Sequence, residues 1–264
     1  MKTLAVLFAG EFRTWPRCAK YMFNFFKKPE YQVDYFFATW STSNDLPGKT
    51  VSTEDVLTPF IQHGKNPVSV NIIKPIGRKV NTFYNQAYLA KVANILKRAH
   101  EITNNFVYDQ VVETRPDLYL RPFNKVWIPM KDYEFCNCGH YEKYRNYYSI
   151  EDVYFRSNSF TNDIIANRYW NRKSKEHYVY HPNDRTNYIE GWTNHHSLAI
   201  EYFLANRIDF VKSERDFDGN PVAIRQQTAD VDFDSFDNIK HLKLEWQPPG
   251  SSPSIDFSGP VNWH

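Results

Sequence analysis

The chain has 264 residues, with 32 Lys and Arg against 30 Asp and Glu, a formal charge of +2, and 42% hydrophobic and 23% charged residues. That composition fits one large α/β domain, or one domain with a small appendage, and excludes a disordered chain. A charge this close to balance gives no basis for nucleic acid as a partner, and no apolar run approaches the roughly 20 residues of a membrane-spanning helix.

The amino end, Leu4 to Phe8, is a continuous apolar run, the pattern of a strand buried on both faces. It runs directly into Glu11 and Arg13, with no small-residue cleavage site, so it is expected to stay in the mature protein as a first strand. Ala9-Gly10-Glu11-Phe12-Arg13 then forms a loop. Gly10 permits close backbone approach there, and Arg13 offers a guanidinium fork. A helix is expected over Pro16 to Phe26, with proline in its first turn. Strand, glycine loop and helix together suit a phosphate, although the loop is neither a Rossmann fingerprint nor a P-loop.

Val33 to Trp40 reads as an aromatic-rich second strand, and Ser52 or Thr53 as the cap of a short helix. Val68 to Ile73, bounded by Pro67 and Pro75, reads as a third strand. Thr82 to Thr103 is the clearest helix. Tyr84, Ala87, Tyr88, Val92, Ile95, Leu96 and Ala99 recur at three- and four-residue spacing. Lys91, Lys97, Arg98 and Glu101 are expected on its solvated face.

A strand over 107–113 follows, and its exit carries the densest chemistry in the chain. Glu113, Arg115 and Asp117 stand at every second position, which on an extended chain places them on one side. Pro116 ends the ladder there. Ligands of open α/β sheets bind outside the carboxyl ends of the strands. Arg115 suits a phosphate, and Asp117, with Glu113, suits a divalent cation. The same residues also suit a plain Arg–Asp pair pinning a strand–loop junction.

Residues 121–150 are aromatic and polar, and are expected to hold loops and a short strand. Asp152 to Arg156 is a strand candidate. Phe160 to Trp170 is a helix candidate, with Ser159 or Thr161 near its cap. Glu190 precedes a helix expected from about Thr193, and Ile208 to Val211 is a short strand. Gln247 to Ser254 is linker-like. The three cysteines, Cys18, Cys136 and Cys138, are too few and too odd in number for a disulfide framework and fit a reducing compartment. The one-residue gap between Cys136 and Cys138, with no second pair, does not make a zinc knuckle.

The order of these segments resembles a family of small bacterial and viral glycosyltransferases of the GT-A type: a first strand into AGEFRTW, then VDYFFATW, a long helix, YDQVVETRPDLYL, a strand containing Asp152, and an acidic residue, Glu190, ahead of a helix. The resemblance covers residues 1–215. It implies a single GT-A-like, Rossmann-related α/β domain over 1–215, with a mostly parallel central sheet flanked by helices. Residues 216–264 would be a partly irregular extension. It further implies a nucleotide-sugar donor and a glycan or glycoconjugate acceptor, with transfer to an acceptor hydroxyl. Ala9, Gly10, Arg13 and Thr39 would line the nucleotide pocket, and Arg115 and Asp117 would face the diphosphate. Asp117 would hold a divalent cation, Mn²⁺ or Mg²⁺, and Glu190 or Asp152 would take the acceptor proton. His195 and His196 are expected on a solvent-facing helix turn, with ligation as the alternative. The location implied is the cytoplasm (of the host for a viral chain) or the periphery of a membrane.

One departure matters. Where other GT-A enzymes carry Asp-x-Asp, this chain reads Arg115-Pro116-Asp117, and a fixed guanidinium can replace one positive charge of a cation. Asp230-Val231-Asp232 and Asp232-Phe233-Asp234 are read as chance matches on an acidic stretch. Two other readings stand beside the transferase. One is a catalytically inert carbohydrate- or nucleotide-binding protein on the same scaffold. The other is a different α/β enzyme, against which stands the lack of a G-x-S-x-G elbow, a P-loop and an H-E-x-x-H motif.

Overall fold

The apolar run at the amino end becomes the middle of a sheet. A computed structural model describes residues 1–43, 50–74, 82–120, 127–137 and 154–167, and the residue pairs 143–144, 147–148, 209–210 and 222–223. Its elements are β1 (Lys2–Ala9), α1 (Trp15–Phe25), β2 (Tyr31–Trp40), α2 (Thr53–Gln62), β3 (Ser69–Ile73), α3 (Thr82–Asn104), β4 (Gln110–Thr114), β5 (Leu118–Tyr119), β6 (Glu134–Asn137), β7 (Lys143–Tyr144), β8 (Tyr147–Tyr148), β9 (Tyr154–Ser157), α4 (Ser159–Ile165), β10 (Asp209–Phe210) and β11 (Val222–Ala223).

Among the described residues the main sheet runs β10-β6-β9-β4-β1-β2-β3. β1 pairs in parallel with both β2 and β4, β2 with β3, and β6 with β10. Only β9 is reversed, lying antiparallel between β4 and β6. The protein is therefore α/β with a mostly parallel sheet flanked by helices, as expected. The reversed strand was not. β11 pairs antiparallel with β5 just beyond the end of β4, and β7 pairs with β8.

The two faces of the sheet are built from different side chains. Leu4, Val6 and Phe8 of β1 meet α1 and α2 in an aromatic layer with Trp15, Phe23, Phe37 and Phe60. The Phe8 ring lies 4.9 Å from Trp15 and 5.8 Å from Phe37, centroid to centroid. On the opposite face Ala5, Leu7, Ala9 and Ala38 meet Leu89, Ala90 and Ala93 of α3, small residues that let the helix lie close. The high aromatic content thus fills a core in the described residues. Burying each such ring is worth roughly 1.5–3 kcal/mol.

Local chemistry sets the helix starts. Pro16 lies in the first turn of α1. Ser52 caps α2 through a reciprocal box: its Oγ accepts from the Asp55 N–H at 3.1 Å, and the Asp55 carboxylate accepts from the Ser52 N–H at 2.9 Å. Asn158 caps α4, its side chain accepting from the Thr161 N–H. Ser159 and Thr161, the residues expected near that cap, are engaged elsewhere: the Ser159 hydroxyl donates to Glu101, and the Thr161 hydroxyl accepts from the Tyr133 N–H.

α3 corrects the sequence reading more deeply. Lys97 and Glu101 are not on a solvated face but are 0% and 1% exposed, whereas Ile95 is 53% exposed. The Lys97 ammonium donates to the Ser159 hydroxyl at 2.5 Å, to the Ser159 carbonyl at 3.3 Å and to Asp163 at 2.8 Å, and stands 3.6 Å from Glu101. Glu101 also accepts from the Tyr108 N–H and from Arg98. Partners on α4 turn this side of the helix inward.

The carboxyl end of β4 brings a second correction. The strand stops at Thr114, so the period-two alternation does not extend through Arg115 and Asp117. Glu113 pairs in register with Leu7 and lies on the α3 face of the sheet. A turn at Pro116 and Asp117 sets the geometry beyond it.

Candidate functional site at the carboxyl ends of β1 and β4

The chain steps outward from β1 to β2 to β3, then crosses back through α3 to place β4 on the other side of β1. Strand order therefore reverses between β1 and β4, and a doubly wound sheet opens its ligand crevice at that point, beyond the carboxyl ends. The loop after β1 carries Gly10 and Arg13, and the loop after β4 carries Arg115 and Asp117.

The two loops touch. The Gly10 N–H donates to the Ala38 carbonyl at 3.2 Å. A Cβ at Gly10 would stand 3.0 Å from the Pro116 ring and 3.3 Å from Oε1 of Gln86, so any larger residue would crowd one loop against the other. The Ala9 carbonyl accepts from the Gln86 amide at 2.6 Å, which ties β1 to α3. Arg13 then adopts a left-handed backbone, φ 35°, which a non-glycine residue seldom does.

That conformation carries the Arg13 guanidinium to Asp117, where Nη1 donates to Oδ2 at 3.0 Å. Its Nε donates to Glu11 at 3.0 Å. Arg115 grips the same aspartate bidentately, Nε to Oδ1 at 2.9 Å and Nη2 to Oδ2 at 2.6 Å. Asp117 is 1% exposed, while the side chains of Arg13 and Arg115 are 13% and 12% exposed. A buried carboxylate thus holds two guanidiniums on side chains that are themselves mostly buried. Cys18, one turn into α1, feels the same charges. Burial pushes its thiol far above the ordinary value, and its hydrogen bond with Thr14 opposes this. Asp117 adds to the rise, and Arg17 and Arg115 offset it.

The structure therefore brings Ala9, Gly10, Arg13, Arg115 and Asp117 together, as the sequence suggested. Thr39 lies one strand over, on β2. It is fully buried, and its hydroxyl donates to the Trp40 carbonyl at 3.5 Å. Asp152, Glu190, His195, His196 and Cys138 lie outside the described residues. Sequence reasoning missed Glu11 and Gln86. Glu11-x-Arg13 has the same spacing as Arg115-x-Asp117 and was legible in principle. Gln86 reaches Ala9 from 77 residues away and leaves no local signal.

Asp117 does not fit the role of cation ligand in this arrangement. Both of its oxygens already accept from guanidinium N–H groups. Among the described residues, no three His, Cys, Asp or Glu side chains converge, and no helix is long and apolar enough to cross a membrane.

No family model matches the sequence, and no curated protein matches it. Among solved structures, the galactosyltransferase LgtC, in complex with donor and acceptor sugar analogues, is similar at a TM-score of 0.33 and 10% identity. The match takes in 62% of this chain and 59% of that one, so the chain spans less than two thirds of that structure's length.

Proposed function

We propose that the protein is a glycosyltransferase that moves a sugar from a nucleoside-diphosphate sugar to the hydroxyl of a glycan or glycoconjugate. The observation that carries this reading is the guanidinium pair, Arg13 and Arg115, fixed at the switch point of a mostly parallel sheet. In such a transfer the bond from the anomeric carbon to the diphosphate breaks, a bond to the acceptor oxygen forms, and the acceptor proton leaves to a base. Negative charge develops on the departing diphosphate. Preorganised N–H donors aimed there lower the barrier without reorganising. The resemblance to GT-A glycosyltransferases would make Glu190, with Asp152 next, the base that takes the acceptor proton.

A panel of UDP, GDP, CDP and TDP, each with and without Mn²⁺, tests the donor site by thermal shift. A ligand that binds only the folded state stabilises it by roughly 2.7 kcal/mol at a hundredfold excess over Kd. One nucleoside diphosphate is expected to raise Tm, and its sugar conjugate to release that diphosphate when an acceptor is supplied. If none of the four raises Tm in a folded sample, the donor site is lost. The inert binding protein is the second reading, because Arg13, Arg115, Glu11 and Asp117 neutralise one another in pairs, as a structural pin would. Nucleotide binding without release of diphosphate from any conjugate would select it.

A further inference from the structure

The geometry points to Asp117 as a positioning residue: it clasps Arg13 and Arg115 side by side so that their guanidiniums bind a diphosphate with no cation between. This deepens the donor-site reading and rests on it. Three observations carry it. Both Asp117 oxygens are engaged, three N–H groups converging on them from two loops, at 2.6, 2.9 and 3.0 Å. The carboxylate is buried at 1% exposure between two arginine side chains that are 13% and 12% exposed. The two loops also approach each other at Gly10, where an added Cβ would stand 3.0 Å from the Pro116 ring. A guanidinium is a planar fork that stays charged and matches phosphate oxygens two at a time. Two of them, fixed at a set separation, meet what two linked phosphates require. A cation ligated by Asp117 would have to displace the donors that now hold it.

Isothermal titration with pyrophosphate, in EDTA and then in excess Mn²⁺, reads this directly. The same affinity is expected in both, to within about twofold, well short of the tenfold that one charge-assisted hydrogen bond is worth. Asp117→Asn decides the role by its sign. Removing a negative charge beside an anion site strengthens anion binding if Asp117 is only a bystander. It abolishes the Mn²⁺-dependent part, and leaves binding in EDTA intact, if Asp117 is a metal ligand. It weakens binding in EDTA and Mn²⁺ alike, by about tenfold, if Asp117 positions the pair. Either of the first two results overturns the inference. Arg13→Lys keeps the charge and loses the fork. It is expected to weaken pyrophosphate similarly, and it covers the case in which Asp117→Asn does not fold. Undiminished binding by Arg13→Lys also overturns the inference. Competition by a nucleoside diphosphate separates the two claims. Pyrophosphate that binds in EDTA, and that no nucleotide displaces, keeps the clasp and removes the donor site.

Discussion

Opposite ends of β4 carry two ionic clusters of similar composition and different meaning. At its amino end Glu101 and Asp163 are held by Lys97 and Arg98. At its carboxyl end Asp117 is held by Arg13 and Arg115. The first is built on two helices, and its central ammonium is fully buried. The second is built on two loops, and its arginine side chains are only 13% and 12% exposed. Charge pairing alone does not mark a site, since structural networks pair charges just as well. Topology separates them. Only the second lies where strand order reverses, at the carboxyl ends.

The sharpest way to break the comparison is to remove Lys97. Lys97→Met keeps the volume and leaves Glu101 and Asp163 without their buried ammonium. A loss of roughly 3 kcal/mol in urea unfolding is expected, the low end for breaking a buried pair, because Arg98 still reaches both carboxylates. A loss no larger than that of a surface ion pair would mean the network adds little. Gly10→Ala probes the other end. Its Cβ meets the Pro116 ring at 3.0 Å, and overpacking of this kind costs roughly 1–3 kcal/mol. The same variant is expected to lose pyrophosphate affinity, because it parts the loops that carry the two guanidiniums.

The pH dependence sharpens the contrast. Burial alone would raise the Glu101 carboxyl. The hydrogen bonds from the Ser159 hydroxyl and the Tyr108 N–H, with Lys97 and Arg98, outweigh that and hold it below its ordinary value of 4.5. A depressed carboxyl contributes stability that is present above 4.5 and lost as pH falls through the folded value. The urea midpoint should therefore fall on acidification below that point, and fall less steeply in Lys97→Met. An acid limb identical in the two proteins would remove Glu101 as its source. The smallest effect belongs to Ser52→Ala, which breaks the capping box of α2. It is expected to cost about 1 kcal/mol in unfolding while leaving ligand binding untouched.

What the sequence showed and what it hid divide along the same line. β1 was legible because a strand buried on both faces is an unbroken apolar run, and β2 because its carboxyl half is rich in buried aromatic residues. The α2 start was legible because Ser52 and Asp55 satisfy each other within one turn. Arg115 and Asp117 were legible as a pair, being two residues apart. Nothing near Lys97 announced its burial, because Ser159 and Asp163 come more than 60 residues later. Nothing near Asp117 announced that Arg13 shares it from 104 residues away. Periodicity sees one element at a time, so it assigned the polar side of α3 to solvent. Contacts between distant elements decide that side.

The buried thiol of Cys18 has a use of its own. Only a thiolate reacts with alkylating reagents, and here the group is fully enclosed and held protonated by its burial. Modification of Cys18 can then proceed only while the start of α1 is briefly open, so its rate counts those openings. The thiol sits one turn beyond the loop that presents Arg13, and an anion bridging that loop to Arg115 is expected to make those openings rarer. Alkylation followed by peptide mass therefore becomes a clock for crevice breathing, one that a bound ligand slows and an empty protein lets run.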